Sequence, residues 1–331
     1  MPGANPYERD TKFEDTLRPG SFDEFIGQKK SIHNLEIAIK AARKRKEALD
    51  HVLFSGLPGL GKTTLARIIA FAMKAQLHTT SGPILKRPGD LVGTLTKLQE
   101  GDVLFIDECH RMLPDVEEFL YSAMEDFMIS ICMESGPQGR TINLPVKRFT
   151  LVGATTREGL LSEPFRARFG ILEKLEWYPV EDIVRILERT ARLLKTEIDD
   201  ESAQLLATRA RGTPRIANRH FRRVRDLAQV KAQNRINKPI ALEALRMLGV
   251  DEAGLEEMDR KILRTLIINN MPVGLKTLAV SVGEEEGTLE EVYEPYLIQQ
   301  NFLVRTSRGR KATEKAFKFL GAEAVEQKKL F

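Results

Sequence analysis

Residues 56–63, Gly-Leu-Pro-Gly-Leu-Gly-Lys-Thr, fit the pattern GxxxxGK[ST]. No other stretch of the chain restricts the fold so much. Its glycines let successive backbone N–H groups converge on phosphate oxygens, and the helix that must follow adds a favourable dipole. That geometry needs a buried strand before the loop and a helix after it. The sequence supplies both. The run HVLFS (51–55) precedes the loop, and Leu65, Ile68, Ile69 and Ala72 recur behind it at helical spacing. Lys62 offers a point charge to the β- and γ-phosphates, and the Thr63 hydroxyl can ligate Mg²⁺.

Two more apolar runs, DVLFID (102–107) and FTLVGA (149–154), read as buried strands. Strands alternating with helical patterns up to about Pro179 predict an α/β unit, a parallel sheet with helices on its faces. The first run ends in Asp107-Glu108. One carboxylate there serves the metal and the next polarises an attacking water, so the pair argues for hydrolysis rather than mere binding. The second run ends in Thr155-Thr156, where a hydroxyl can orient that water or sense the γ-phosphate. Farther on, Phe165-Arg-Ala-Arg168 sets two arginines beside an apolar segment. Gly212-Thr-Pro-Arg215 reads as a helix start, with Thr213 as N-cap and Pro214 in the first turn. Arg215 then sits where the helix dipole disfavours a cation by roughly 0.3–1 kcal/mol, and an anionic phosphate would offset that.

With 331 residues the chain is too long for one compact core, and three regions separate. Residues 1–179 form the α/β unit, 180–252 are purely helical, and 253–331 read as three short helices (near 259–268, 275–282 and 288–300) followed by a hairpin around Ser307-Arg308-Gly309. That last pattern predicts a winged helix-turn-helix. No apolar run approaches the roughly 18 residues of a membrane helix, and the first residues lack a signal peptide's apolar core. Cys109 and Cys132 make neither a CxxC pair nor a disulfide framework, so a cytoplasmic protein is expected. A net charge of +4 is too small to imply nucleic acid by itself.

Two surfaces stand out. Residues 128–148 read as an inserted hairpin, with Ile129, Ile131 and Met133 alternating on one arm and Ile142, Leu144 and Val146 on the other. On pattern alone, that face packs on its own domain or on a partner. In the last region, Glu284, Glu285, Glu286, Glu290, Glu291 and Glu294 crowd the third helix, whereas Arg305, Arg308, Arg310 and Lys311 crowd the wing. The wing is therefore expected to touch DNA phosphates while the acidic helix stays out, which gives binding without sequence preference.

Phosphate loop, Asp-Glu strand, Thr-tipped strand, arginine finger and lid arginine, in this order, resemble the AAA+ ATPases. The stretches LRPGSFDEFIGQ (17–28), GATTREGLLSEPFRARFG (153–170), RGTPRIANRHFRRVRDLAQVK (211–231) and EPYLIQQNFLVRTSRGR (294–310) narrow the resemblance to the RuvB family of bacterial Holliday-junction branch-migration motors. It spans nearly the whole chain after about residue 16. It implies a P-loop AAA+ core, an all-helical lid and a winged helix. The implied activity is ATP hydrolysis that translocates duplex DNA through Holliday junctions in recombination and repair. ATP or ADP with Mg²⁺ would be the ligands, a RuvA-type protein would dock on the hairpin, and subunits would close into a ring, a hexamer, with no membrane involved.

The same resemblance assigns residues. Leu17 and Arg18 would flank the adenine, and Tyr178 would lie near the base or ribose. Gly59, Lys62, Thr63 and Thr64 would hold phosphates and metal, with Asp107 and Glu108 opposite. Thr156 would be the sensor, Arg215 would reach the γ-phosphate from the lid, and Arg168 would be the finger entering the neighbouring subunit's site. Glu125-Asp126-Phe127 matches a family stretch near the nucleotide. The family pattern has an aliphatic residue after Asp-Glu; here it is Cys109, which when buried behaves as a small hydrophobe. A clamp-loader-like AAA+ switch is the alternative, but it would need a collar-type C-terminal domain in place of a basic wing. A sequence-reading regulator is opposed by the acidic third helix.

Overall fold

The computed structural model describes residues 15–132 and 141–321, in two compact units that divide at Tyr178–Pro179. In the first unit, α1 (Lys29–Arg45) leads into β1 (Val52–Ser55), and the phosphate loop turns the chain into α2 (Lys62–Met73). Then come β2 (Leu77–Ser81), α3 (Gly89–Leu95), β3 (Val103–Asp107) and α4 (Pro114–Glu125). The hairpin β4 (Met128–Cys132) and β5 (Thr141–Pro145) precedes β6 (Thr150–Thr155), α5 (Glu163–Ala167) and β7 (Ile171–Lys174).

Five of these strands form one parallel sheet in the order β2-β3-β6-β1-β7. Every residue of β1 and β6 is buried, as are Val103–Ile106 of β3. That is why these strands read as continuous apolar runs and not as alternating ones. On one face Leu91, Leu95, Val116, Leu120, Phe149 and Phe165 build a contiguous core. The parallel arrangement sends the carboxyl ends of β1, β6 and β3 to one edge, where ligands of open α/β sheets bind. The α/β class expected from the sequence is borne out.

The inserted hairpin divides along its length. At its base Ile129 pairs with Leu144, and Ile129 is fully buried in the domain's own core. Farther out Ile142 is exposed. Residues 133–140, which include Met133 and the expected turn at 136–139, lie outside the described residues.

The second unit begins with a helical lid of α6 (Val180–Leu193), α7 (Asp200–Thr208), α8 (Pro214–Lys231) and α9 (Lys238–Met247), plus the two-residue strands β8 (Glu197–Ile198) and β9 (Arg235–Ile236). The helix expected at Pro214 starts there, but Thr213 does not cap it. Its hydroxyl is buried and donates backwards to the Ala210 carbonyl. A winged helix follows: α10 (Glu257–Asn269), α11 (Leu275–Val282), then α12 (Glu286–Thr288), a π-helical turn (Leu289–Tyr293) and α13 (Glu294–Gln299). The wide turn has a local cause. Pro295 offers no N–H, and its ring would strike the carbonyl four residues back in a regular α-helix. β10 (Leu303–Thr306) and β11 (Gly309–Ala312) form the wing and α14 (Glu314–Phe319) closes the chain's described part. Gly309, at φ 134°, is obligatory. A Cβ there would meet the Val273 carbonyl oxygen at 2.3 Å, where the wing bridges to the segment before α11.

Lid and winged helix share buried polar contacts. Arg211, almost fully buried, donates through Nε to the Gly254 carbonyl (2.9 Å), pairs with the fully buried Asp259, and stacks over the Tyr296 ring. Arg209 reaches the Asp251 carbonyl (3.0 Å), and Arg219 pairs with Glu256. Asp259 also accepts the Glu256 N–H, so α10 begins with a reciprocal cap.

Candidate active site and wing

The phosphate loop bends through Gly59 at φ 81° and Gly61 at φ 106°, backbone angles that side chains resist. Lys62 is buried, and its Nζ donates to the carbonyls of Gly56 (2.6 Å) and Leu57 (3.0 Å), which holds the ammonium inside the loop. Thr63 and Thr64 follow in the first turn of α2, both half-buried. Gly56 N–H donates to the Thr155 carbonyl (3.2 Å), so the loop is tied to the tip of β6.

A second cluster braces the loop from outside. Leu17 and Tyr178 are buried, and the Tyr178 hydroxyl donates to the Leu60 carbonyl (3.0 Å). A Cβ on Gly27 would lie 2.4 Å from the Tyr178 ring, and one on Gly61 would lie 2.9 Å from Phe25. Gln28 fastens this arrangement through its side chain. Its amide donates to the Glu176 carbonyl (2.6 Å) and accepts the Glu176 N–H (3.1 Å). Arg18 pairs with Asp15, which also meets Arg67. Tyr178 thus packs on the loop backbone itself. Phe25 and Gln28 carry no sequence signal that would have placed them here.

On the far side of β6 stands β3. Two inter-strand spacings separate β1 from β3, roughly 10 Å, enough to bracket a chain of phosphates. Asp107 ends β3, with its Oδ1 accepting the Glu108 N–H (3.1 Å). Glu108 adopts the left-handed conformation, φ 47° and ψ 47°, uncommon for a residue with a Cβ. Thr156 Oγ1 donates to Glu108 Oε2 (3.2 Å), which links the residues that follow the neighbouring strands β6 and β3. Cys109 is buried in the core beneath, and burial pushes its thiol well above the ordinary range. Among the described residues, no group of three His, Cys, Asp or Glu could cage a metal ion.

Arg168 caps α5 and lies against α4: its Nη2 donates to the Tyr121 hydroxyl and to Glu125, with the guanidinium 4.5 Å from the Tyr121 ring centre. These partners raise the guanidinium's pKa, Tyr121 first. One turn before Tyr121 on the same face of α4, Glu117 receives the N–H and hydroxyl of Ser162, the residue that caps α5 at its other end. Glu125 therefore stands beside Arg168, a pairing that sequence distance hides, whereas Phe127 packs edge-on against Phe149 and under Arg148. Arg215 lies in the first turn of α8 in the second unit.

In the wing, the basic residues part company. Arg308 and Lys311 are exposed. Arg310 turns inward: its Nε donates to Glu294 and its Nη2 to Glu290, each over 2.7 Å. Arg305, half exposed, also pairs with Glu294, which is fully buried. The acids of the third helix do not act as one repulsive face, because Glu290 and Glu294 hold the wing in place.

Comparison with known proteins agrees with this geometry. Residues 17–175 match the family described as Holliday junction DNA helicase RuvB P-loop domain, residues 178–251 the RuvB AAA lid domain, and residues 252–321 the RuvB C-terminal winged helix domain. The Holliday junction branch migration complex subunit RuvB of Flavobacterium johnsoniae is 56% identical over 321 residues, 96% of this chain and 94% of that protein. The subunit of the same name from Kosmotoga olearia is 56% identical over 308 residues, covering 92% and 90%. A solved structure described as the Thermotoga maritima RuvB Holliday junction branch migration motor superposes with a TM-score of 0.86 at 52% identity, over 93% of this chain and 99% of that one. No helix among the described residues is long and apolar enough to cross a membrane. A phosphate loop, lid and wing that each match in turn, with more than half the residues identical almost end to end, place the chain in the RuvB family.

Proposed function

We propose that this chain is an ATP-driven motor that moves duplex DNA through Holliday junctions together with a RuvA-type partner. One observation carries the chemistry. Lys62 closes the loop that follows β1, and Thr156 and Glu108 follow the neighbouring strands β6 and β3, with the Thr156 hydroxyl bonded to the carboxylate that would take a proton from water. Bound ATP would lie along the loop N–H groups, Lys62 would neutralise its β- and γ-phosphates, and Glu108 would orient the lytic water as general base. The Thr63 hydroxyl and the Asp107 carboxylate are hard oxygen donors and would hold Mg²⁺. When bound, Mg²⁺ neutralises charge that develops on the transferred phosphoryl group.

Leu17, Arg18 and Tyr178 would close around the base. Arg215 would report the γ-phosphate to the lid, and Arg168 with Glu125, Asp126 and Phe127 would serve the neighbouring subunit's nucleotide. A finger shared between subunits makes the interface heterologous, and a heterologous interface that closes gives a ring, here a hexamer. The exposed outer arm of the hairpin, with Ile142, would receive the RuvA-type partner. Arg308, Lys311 and the exposed part of Arg305 would touch DNA phosphates, in a cytoplasmic setting.

Strand separation of a synthetic four-way junction, with ATP and a RuvA-type protein, tests this reading. Wild type should resolve the junction and Glu108→Gln should not. ATP hydrolysis by the wild type that leaves the junction intact would move the clamp-loader-like reading to the front.

A further inference from the structure

Glu108 has a second close neighbour besides Thr156. His110 lies two residues beyond it on the short 3-10 turn Cys109–Arg111, with its imidazole only 3% exposed. Its Nδ1 is 2.9 Å from Thr155 Oγ1 and 3.4 Å from Glu108 Oε2, the oxygen that also accepts from Thr156. Thr155 is itself fixed, buried on β6 and accepting the Arg157 N–H at 3.0 Å. A carboxylate oxygen offers only lone pairs, so an unprotonated Nδ1 facing it would be repelled. We assign the proton to Nδ1 because it faces the Glu108 carboxylate; the Thr155 hydroxyl, which can accept as well as donate, suits that tautomer.

The backbone is shaped to the same end. Glu108 is held in the left-handed region, and such strain persists only where surroundings over-determine it. Gly82, at the end of the adjacent strand, supplies part of that constraint. A Cβ there would lie 2.3 Å from the Glu108 carbonyl oxygen, so the close approach needs glycine.

We propose that His110 is a positioning residue for ATP hydrolysis. Thr155 orients its imidazole, and the Nδ1–H, with the Thr156 hydroxyl, fixes the rotation of the Glu108 carboxylate toward the lytic water. This role rests on Glu108 being the general base. In this role His110 acts through Glu108.

The test uses the full-length chain with its partner and junction DNA, and measures kcat, KM and the affinity for a fluorescent ATP analogue. His110→Leu removes the donor and keeps the bulk; His110→Asn puts an amide N–H near the place of Nδ1. His110→Leu should lower kcat about 10- to 100-fold, a part of what a general base supplies, with analogue affinity and thermal midpoint little changed. His110→Asn should recover most of that loss. In single-turnover experiments, His110→Leu should add nothing to Glu108→Gln, because both would disable one device. Thr155→Val, nearly isosteric, provides a second route should His110→Leu unfold, and should lower kcat without weakening analogue binding.

A normal kcat in His110→Leu overturns the proposal. So does an equal further loss in the Glu108→Gln background, or an asparagine variant no better than leucine. If Glu108→Gln itself retains full hydrolysis, the general-base assignment falls first and this inference with it.

Discussion

Arg310 Nε donates to Glu294 Oε1 over 2.7 Å, and Glu294 has no exposed surface at all. A wing arginine that a basic hairpin would present to DNA thus serves to hold the wing on its own helix. Removing one partner of a buried ion pair costs about 3–5 kcal/mol, because the other charge is stranded. Arg310→Ala should fall at the lower end, since Arg305 still meets Glu294. Arg308→Ala should leave stability unchanged, weaken DNA binding uniformly across sequences, and flatten its salt dependence by a slope of about 0.9 for each phosphate no longer neutralised. Urea unfolding read beside salt-dependent DNA binding separates the two roles; Arg310→Ala with full stability and lost affinity would return it to the phosphate-contacting set.

Arg168 stands beside Glu125 at the end of α4, which makes a mixing experiment decisive. Arg168→Ala and Glu108→Gln should each hydrolyse ATP at least about a hundredfold more slowly than wild type. In random mixed rings, roughly a quarter of sites would join an intact base to an intact finger from the neighbour, so activity should return to about that fraction. Mixtures no more active than their components would mean that the finger works within one subunit.

Gly27→Ala should disturb nucleotide binding from outside the loop. The residue sits at φ 85°, and the new methyl would press into the Tyr178 ring that donates to Leu60. The expected loss is about 1–3 kcal/mol of stability, with ATP-analogue affinity reduced severalfold. Affinity matching wild type would show that the Tyr178 brace is dispensable.

His220, buried on α8, links stability to pH. Burial, reinforced by the Arg219 and Arg211 cations, lowers its pKa to about 3. The unfolded chain binds this proton near pH 6.5 and the folded one does not, so the contribution is complete above pH 6.5 and declines as pH falls toward 3. Its slope approaches about 1.4 kcal/mol per pH unit in the middle of that window. His220→Phe should flatten the urea midpoint between pH 7.5 and pH 5 relative to wild type, whatever its stability at pH 7.5. An unchanged pH dependence would assign the acid sensitivity to other groups.

β2 and β7 at the sheet edges are only partly buried and left no apolar run, whereas the three central strands were legible because buried parallel strands and phosphate loops leave local patterns. Leu275–Val282 emerged at its expected bounds for the same reason, an apolar face punctuated by glycine on each side. What stayed hidden depends on distance in sequence. Gln28 meets Glu176, Tyr121 meets Arg168, and His110 meets Thr155, each across dozens of residues with no periodicity to announce it. The wing misled by composition alone. Counting six glutamates against three arginines and a lysine gives a charge contrast, whereas two of those glutamates and two of those arginines cancel by pairing with each other. Thr213 had the right residue type for a cap, yet its hydroxyl found the nearer Ala210 carbonyl.

The buried contacts of Arg211 with Asp259, Gly254 and Tyr296 tie the winged helix to the lid. A body so joined behaves as a lever, whose gain is set by its length. α8 alone, with 18 residues, is about 27 Å long. Turning such an arm by about 10° carries a point about 20 Å from the pivot through about 3.5 Å, close to the spacing of successive nucleotides along a strand. A modest rotation imposed on the lid is therefore commensurate, at the wing, with the natural increment of the polymer it would grip.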